Sequence, residues 1–484
     1  MQSRVSRFAL AAALLALAAS PAQADTLREA LASAYNTNPT LEAARANQRG
    51  VDENVVIERA AGLPTVAGQA SYAEVLDDAY GGSSKLFPDR EVSGSLSLTV
   101  PVYSGGAVRN SVRAAKTRVK AGQADLRATE SAIFSQVTAA YMDVILNEAI
   151  VGLNLHLVDV LSVNLQATSD RFQIGDLTRT DVAQSSSRLE LARGDLRSAR
   201  ANLVESRERY IRLVGHAPGT LAPPPPLPGM PGSADEAVAI ALQYNPDLLA
   251  AQERAKAAGY DIEVAGSTRL PTIELFTTGS AQDALGTGPL DTVTGSDRIT
   301  SATAGVRATI PLFQGGRPAA LERRAQAGAA AALEQQVAAE REVIAQVRAA
   351  YSSWQAANAI IESTRGAISA AELSLEGVQA ENTVGNRTIL DILNAEQELQ
   401  NAKVQFVTAQ RNAYVAGFTL LAAMGRAEAR DLGLDTGGPL YDPQDNYRRV
   451  KGKIFDWSFD PDPTVKSTRT VDTPAQDGEI SVSK

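Results

Sequence analysis

Few side chains in this sequence could perform covalent chemistry. None of its 484 residues is cysteine, which removes disulfides, thiolate metal ligands, iron–sulfur clusters and thiol nucleophiles together. The two histidines, His156 and His216, stand far apart and leave little room for a histidine metal site. A phosphate-cradling Gly-x4-Gly-Lys-Ser/Thr loop is missing, because the one Gly-Lys pair, Gly452-Lys453, runs into Ile454. Neither a Gly-x-Ser-x-Gly elbow nor a His-Glu-x-x-His helix occurs. No catalytic residue, metal or cofactor is expected, and a formal charge of −9 argues against a nucleic-acid partner. What remains is electrostatic. Asp181 and Asp391 each follow a glycine, Gly175 and Gly385, in matching surroundings. An aspartate there suits capping or solvating a helix start after a glycine turn.

Those surroundings match because the chain is written twice. Glu29-Ala30, Asn38-Pro39 and Leu63-Pro64-Thr65 recur 207 residues later as Glu236-Ala237, Asn245-Pro246 and Leu270-Pro271-Thr272. Val100-Pro101-Val102-Tyr103-Ser104-Gly105-Gly106 recurs after 210 residues as Ile310-Pro311-Leu312-Phe313-Gln314-Gly315-Gly316. The pairs Ala140-Tyr141 and Ala350-Tyr351, Gly175 and Gly385, Asp181 and Asp391, and Gly215 and Gly425 keep that offset. Two repeats are therefore expected, at 25–215 and 233–425, each far longer than a solenoid period. Between them, His216 to Gly232 holds seven prolines in seventeen residues and predicts a stiff extended connector. From 426 the repetition ends. Trp457 and Phe459 are expected to pack around the waist of the molecule, and Pro461 to Lys484 to form a mobile polar tail.

Each copy has one grammar. A first helix should run from about Asn38 to Gly62 and end before Pro64. Glu91 to Val100 alternates, with Val92, Gly94, Leu96, Leu98 and Val100 on one side and Ser93, Ser95, Ser97 and Thr99 on the other. That predicts a strand whose apolar face meets something oily. Its partner is expected near Thr65–Glu74, across a polar loop from Asp77 to Arg90. Thr272–Ser280 and Thr300–Ile310 form the second pair. Pro101 with Gly105-Gly106, and Pro311 with Gly315-Gly316, should stop the strands and start helices.

The following helices are very long. One from about Ala107 to Phe172 would reach roughly 100 Å. Its heptad seam reads Phe134, Val137, Tyr141, Val144, Glu148, Val151, Leu155, Val158 and Leu165; the second copy offers Ile344, Val347, Tyr351, Trp354, Asn358, Ile361, Arg365, Ile368 and Leu375. Sustained 3–4 spacing predicts coiled-coil packing. The two shorter helices of each copy sum to nearly the length of the long one, so they could stack end to end beside it. Four strands cannot close a barrel, and an open sheet in lipid leaves backbone groups unpaired. The expected fold is mainly α with a small β part: duplicated coiled-coil helices forming an α-barrel, and four strands contributing to a transmembrane β-barrel shared among identical subunits.

The amino terminus sets the compartment. Arg4 and Arg7 precede an apolar run from Phe8 to Ala19, and Ala22-Gln23-Ala24 supplies small residues for cleavage before Asp25. Residues 1–24 thus read as a signal peptide, and the lack of cysteine excludes lipoprotein acylation.

Taken in order, the Asn-Pro helix starts, the Leu-Pro and Val-Pro-Val-Tyr-Ser-Gly-Gly or Ile-Pro-Leu-Phe-Gln-Gly-Gly junctions and the tip motifs Ile174-Gly175-Asp176-Leu177-Thr178-Arg179-Thr180-Asp181-Val182 and Val384-Gly385-Asn386-Arg387-Thr388-Ile389-Leu390-Asp391-Ile392-Leu393-Asn394 resemble those of TolC-type outer-membrane efflux and secretion channels. The resemblance covers residues 25–430. It implies a homotrimer with a twelve-stranded barrel in outer-membrane lipid and a twelve-helix tube across the periplasm. Such a channel gives passive exit to substrates delivered by an inner-membrane ABC or proton-driven transporter through a periplasmic adaptor, in type I secretion or small-molecule efflux. It further implies a gate in which Arg387 latches the pair Thr180-Asp181, with Asp391 forming a cation-selective pore ring and Gly175, Asp176, Leu177, Gly385 and Asn386 meeting the adaptor. Two positions depart from the family pattern: Asn382 replaces a latching tyrosine and Asn394 a second ring aspartate. The alternative is a periplasmic coiled-coil adaptor without a pore, which would need no lipid-facing strands.

Overall fold

The computed structural model describes residues 25–76, 88–287, 298–437 and 439–480. The expected signal peptide and most of both strand-connecting loops lie outside the described residues. The first copy runs α1 (Leu27–Thr37), α2 (Pro39–Ala60), β1 (Thr65–Glu74), β2 (Arg90–Ser104), α3 (Ala107–Gln173) and α4 (Arg179–Val214). The second repeats it as α5 (Ala234–Tyr244), α6 (Pro246–Ser267), β3 (Thr272–Asp283), β4 (Arg298–Thr309), α7 (Arg317–Thr383) and α8 (Ile389–Ala423). A 3-10 turn at Leu434–Gly437 and α9 (Pro443–Val450) follow. The 11-residue helices α1 and α5 were not anticipated. Thr26 with Glu29 forms a full capping box ahead of α1, and Ser233 accepts from the Glu236 N–H ahead of α5.

Within each copy two separate helices are spliced into one. Asn38 Oδ1 accepts the N–H groups of Thr40 and Leu41 at 3.0 and 3.4 Å, capping α2, while its Nδ2 donates to the Leu213 carbonyl at the end of α4 at 3.0 Å. Asn245 repeats this, accepting from Asp247 and Leu248 and donating to Ala423 O at 2.9 Å. One amide thus satisfies orphan groups on two helix ends. The prolines that follow have no N–H to lose at the first helical position. The chain leaves each joint through a left-handed glycine, Gly215 (φ +94°) or Gly425 (φ +71°), and a Cβ on Gly425 would collide with the Tyr244 carbonyl. The spliced pairs α4–α2 and α8–α6 run beside α3 and α7, each 67 residues and therefore about 100 Å long.

The heptad seam of α3 is buried where expected: Phe134, Val137, Tyr141, Val144 and Val151 are fully enclosed. The α7 seam is partly as expected, with Val347 and Tyr351 buried, but alanines broaden it. Val343, Ala350, Ala357, Thr364 and Ala371 are buried, whereas the expected Asn358 and Arg365 face outward. Small residues let the helix backbones approach, and the two polar side chains find local partners. Asn358 donates to Trp354 O, and Arg365 pairs with Glu362 and lies 5.9 Å from the Phe406 ring.

The four strands form one antiparallel sheet in the order β1-β2-β3-β4, so β2 and β3 join the copies. Alternation sorts the faces. Val66, Val92, Leu96, Leu275 and Val306 share one face and are all more than 40% exposed within the chain. The other carries paired Ser71–Ser93 and Ser280–Ser301 hydroxyls and the Glu274–Arg307 ion pair. β2 ends before Gly105-Gly106 as expected, but Pro101 itself does not stop it. The strand continues to Ser104 through a bulge between Pro101 and Tyr103, where a missing N–H is tolerated.

The main core lies around Phe134, Tyr141, Tyr210, Leu248 and Phe418. From it three tyrosine hydroxyls hold the connector: Tyr141 donates to Ala222 O at 2.6 Å, Tyr414 to Pro225 O and Tyr351 to Gly232 O, both at 3.1 Å. The C-terminal segment climbs α2. Tyr441 and Tyr35 flank the Arg45 guanidinium, Asn446 bonds Asp52, and Lys453 O accepts from Arg59. The extended tail then descends along α4, where Arg207 donates to the carbonyls of Asp477 and Glu479.

Facing this segment from α3, Glu130 accepts the Ala429 N–H. Burial, aided by Glu428 and Asp431, pushes its carboxyl up to about 7, against Arg45 and the Ala429 bond.

Two outcomes are expected. Asn38→Ala and Asn245→Ala should each lower stability by roughly 2 kcal/mol, read from urea or thermal melts. Asn38→Asp, which keeps the cap but loses the donor, should fall between; alanine variants that melt like the wild type would contradict the joint. For Glu130 the folded-state value lies above the unfolded one, so the folded form holds the extra proton. Stability should then fall as pH rises from about 4.5 to about 7, by on the order of 3 kcal/mol from this group. Glu130→Gln should flatten that part of the pH–stability curve.

Candidate functional site

The residues singled out from sequence gather at the two hairpin tips, where a long helix hands over to a shorter one. In the first tip α3 ends with Gly175 left-handed at φ +85°, and Asp176 N–H reaches back to Arg171 O at 2.9 Å. In the second, Gly385 takes φ +82° and Asn386 N–H reaches Glu381 O at 3.0 Å. Both are helix ends closed by an i+5 to i backbone bond through a left-handed glycine. Thr178 and Thr388 then start α4 and α8 with reciprocal capping boxes, in which Asp181 and Asp391 are the acids.

Both tip carboxylates therefore work locally. Asp181 Oδ2 accepts from Thr178 N and Oγ1 at 2.9 and 2.7 Å, and Asp391 Oδ2 from Thr388 N and Oγ1 at 2.9 and 2.8 Å. The Thr178 hydroxyl foremost for Asp181, and the Thr388 N–H foremost for Asp391, hold the two carboxyls below the usual range. Each is thus a fixed negative charge at neutral pH. The second oxygen of each lies outside its box.

Within one chain Arg387 is not brought to Thr180 and Asp181. It reaches back instead to Glu381, with Nε 2.7 Å from Oε2. Asn382 donates from Nδ2 to the Arg387 carbonyl at 2.7 Å, bracing the same loop. In the first tip the equivalent clip has opposite polarity: Arg171 at the helix end holds Asp176 in the loop at 2.7 Å. Thr180 is exposed in the first turn of α4. Leu177 is half-buried, while Gly175, Asp176, Gly385 and Asn386 are exposed. Ile174 and Val384, 80% and 70% exposed, project beside the glycines as apolar knobs.

One polar contact was missed from sequence. Asn394 Oδ1 accepts from Arg188 at 2.8 Å, tying α4 of the first hairpin to α8 of the second. Beneath it Leu157, Leu161, Leu189, Ala192 and Leu393 form an apolar cluster that joins both hairpins. Arg188 lies two helical turns beyond Asp181, so heptad spacing could have flagged it. Its partner on a distant helix could not have been read that way.

This assembly of elements matches known proteins along nearly its whole length. The family model for outer membrane efflux proteins matches residues 30–216 and 237–426, one stretch in each copy. The outer membrane efflux protein BepC of Brucella suis is 34% identical over 438 residues, covering 90% of this chain and 92% of its own. The outer membrane protein TolC of Escherichia coli is 25% identical over 444 residues, covering 85% and 84%. Among solved structures, the Campylobacter jejuni CmeC outer membrane channel superposes with a TM-score of 0.73 at 18% identity, covering 88% of this chain and 89% of that one. A tall duplicated helical hairpin, a sheet with an exposed apolar face and a match spanning both copies place the chain in the outer membrane efflux protein family.

Proposed function

We propose that three copies of this chain, exported by a signal peptide cut before Asp25 and carrying no lipid anchor, form a passive exit duct through the outer membrane and periplasm. The observation that carries this reading is the sheet. Its apolar face is uncovered and its outer edges, on β1 and β4, have no strand partner among the described residues. In lipid such edges must be paired, and three chains bring twelve strands, beyond the roughly eight a barrel needs. The helical part agrees. α3 contains a window of mean hydropathy 1.6, of which only 22% is buried within the chain. A straight helix of about 100 Å is three bilayer thicknesses long, so that window is better covered by neighbouring helices than by lipid. The N-terminal residue of the mature chain is itself tied in, since Asp25 N–H donates to Thr220 O and its carboxylate accepts from Gly219.

At the periplasmic end the same reading gives the tips two roles. Arg387 would exchange Glu381 for the Thr180-Asp181 pair of an adjacent hairpin when the tube is shut. An exposed pair like Arg387–Glu381 is a weak competitor. Three Asp391 side chains would ring the opening and draw cations, more weakly for having Asn394 below them. The reversed clips Arg171–Asp176 and Glu381–Arg387, with Ile174 and Val384 beside them, would let a periplasmic adaptor tell the two tips apart. Energy and cargo choice belong to the inner-membrane ABC or proton-driven transporter behind that adaptor.

Purified protein in planar bilayers tests this directly. It should conduct, and Arg387→Ala or Asp181→Ala should raise the single-channel conductance; unchanged conductance in both would refute the latch. Block by divalent or trivalent cations from the periplasmic side should weaken severalfold in Asp391→Asn. Undiminished block would place the ring elsewhere, and protein that never conducts would defeat the duct reading.

A further inference from the structure

After α9 the chain makes a clamped loop that holds a cluster of large apolar side chains in the open. Ile454, Phe455, Trp457 and Phe459 are 73%, 71%, 75% and 77% exposed, and the Trp457 and Phe459 rings meet edge to face at 6.3 Å. The loop does not dangle. Arg449 grips Asp460 with both terminal nitrogens at 2.6 and 2.7 Å, closing its base, and Arg59 donates to the carbonyls of Lys451 and Lys453. Four ordered apolar side chains facing water are a cost that a soluble surface would not keep.

Its height in the molecule indicates what covers it. The C-terminal segment meets α2 at Arg45, then Asp52, then Arg59, climbing about 21 Å along that helix. Arg59 is the penultimate residue of α2, and the first strand begins at Thr65. Tyr447 packs on the cluster of Val55, Ala115 and Val119, in the strand-proximal parts of α2 and α3. The loop therefore sits level with the root of the sheet. At that root Tyr103 and Phe313, equivalent residues of the two copies, are 46% and 90% exposed, as in an aromatic girdle at a membrane surface. Lys451, Lys453, Arg59 and Arg449 collect at the base of the loop and outnumber Asp460, which pairs with Arg449 and Lys453, while Asp456 is the one acid among its tip residues. An apolar tip above a basic base matches an acyl layer beneath phosphate headgroups.

We propose that residues 454–459 dip into the periplasm-facing phospholipid leaflet of the outer membrane, as a foot outside the barrel. This rests on the strands crossing that membrane. Each copy of the chain supplies one foot, which resists tilting of the tube beneath the barrel.

The chain has two tryptophans, Trp354 and Trp457, so Trp354→Phe leaves one reporter in the loop. This full-length variant is placed in phosphatidylethanolamine–phosphatidylglycerol vesicles, with or without lipids brominated near the headgroup end of the acyl chain. Flotation and conductance verify insertion. Bromolipid should reduce Trp457 emission about twofold, and iodide should quench it poorly, whereas the Trp457→Phe protein, reporting from Trp354, should ignore bromolipid. Iodide quenching without bromolipid quenching, in vesicles that conduct, would overturn the foot and leave the channel intact. Shielding from both quenchers would assign the cover to a second copy of the chain and overturn it equally. Protein that neither floats nor conducts would remove the membrane reading on which the foot rests.

Discussion

A helix of 67 residues cannot hold itself straight in water by backbone bonds alone, because most helical stability comes from burying a face. It needs a companion of similar length, and the described residues of its own copy hold none that is continuous. The companion is assembled from two pieces, α4 and α2, that arrive from opposite ends of the copy. Their junction is one asparagine side chain accepting from the start of one helix and donating to the end of the other. Everything above and below depends on that joint. It lets the fold pass through a sheet at one end and a tight tip at the other while keeping the rods in register. Because the joint occurs at both Asn38 and Asn245, the two copies present the same geometry to a neighbour.

Duplication gives quasi-symmetry, and small departures give direction. The two tips share a left-handed glycine, an i+5 backbone closure and a Thr–Asp capping box, all required by local backbone chemistry. They differ in the polarity of the ion pair that braces them. The same division occurs higher up, where Tyr141 and Tyr351 occupy equivalent places but bond different parts of the proline-rich connector, Ala222 within it and Gly232 at its end. Backbone geometry is conserved between the copies where folding demands it, and side-chain chemistry diverges where the copies meet different surroundings.

The C-terminal segment adds a second layer of ties across this frame. It rises from the part-buried Glu130–Ala429 bond to Arg59 near the sheet, then descends along α4. A tail expected from its prolines and polar residues to be mobile is bonded at several points. Those bonds are chiefly to Arg200 and Arg207 on α4, whose role is invisible in their own helical context.

Much of the architecture was legible from sequence because it is local and repeated. A period of two across Val92 to Val100, heptads along α3, glycine after each long helix and one offset linking both copies all follow from short-range geometry. That offset led directly to equivalent strands, tips and joints. Long-range partnership stayed hidden. Nothing in sequence pairs Arg188 with Asn394, holds Arg387 against Glu381, or lifts Trp457 and Phe459 from the waist to the root of the sheet. The alanines that join Val347 and Tyr351 on the α7 seam have the same origin, since alanine enters a helix interface for its small volume and leaves no hydrophobic signature. Residue spacing determined which elements form and how often they recur. Only the tertiary structure decided which polar groups meet, because an arginine reaches several partners and the fold alone sets which carboxylate or carbonyl is within range.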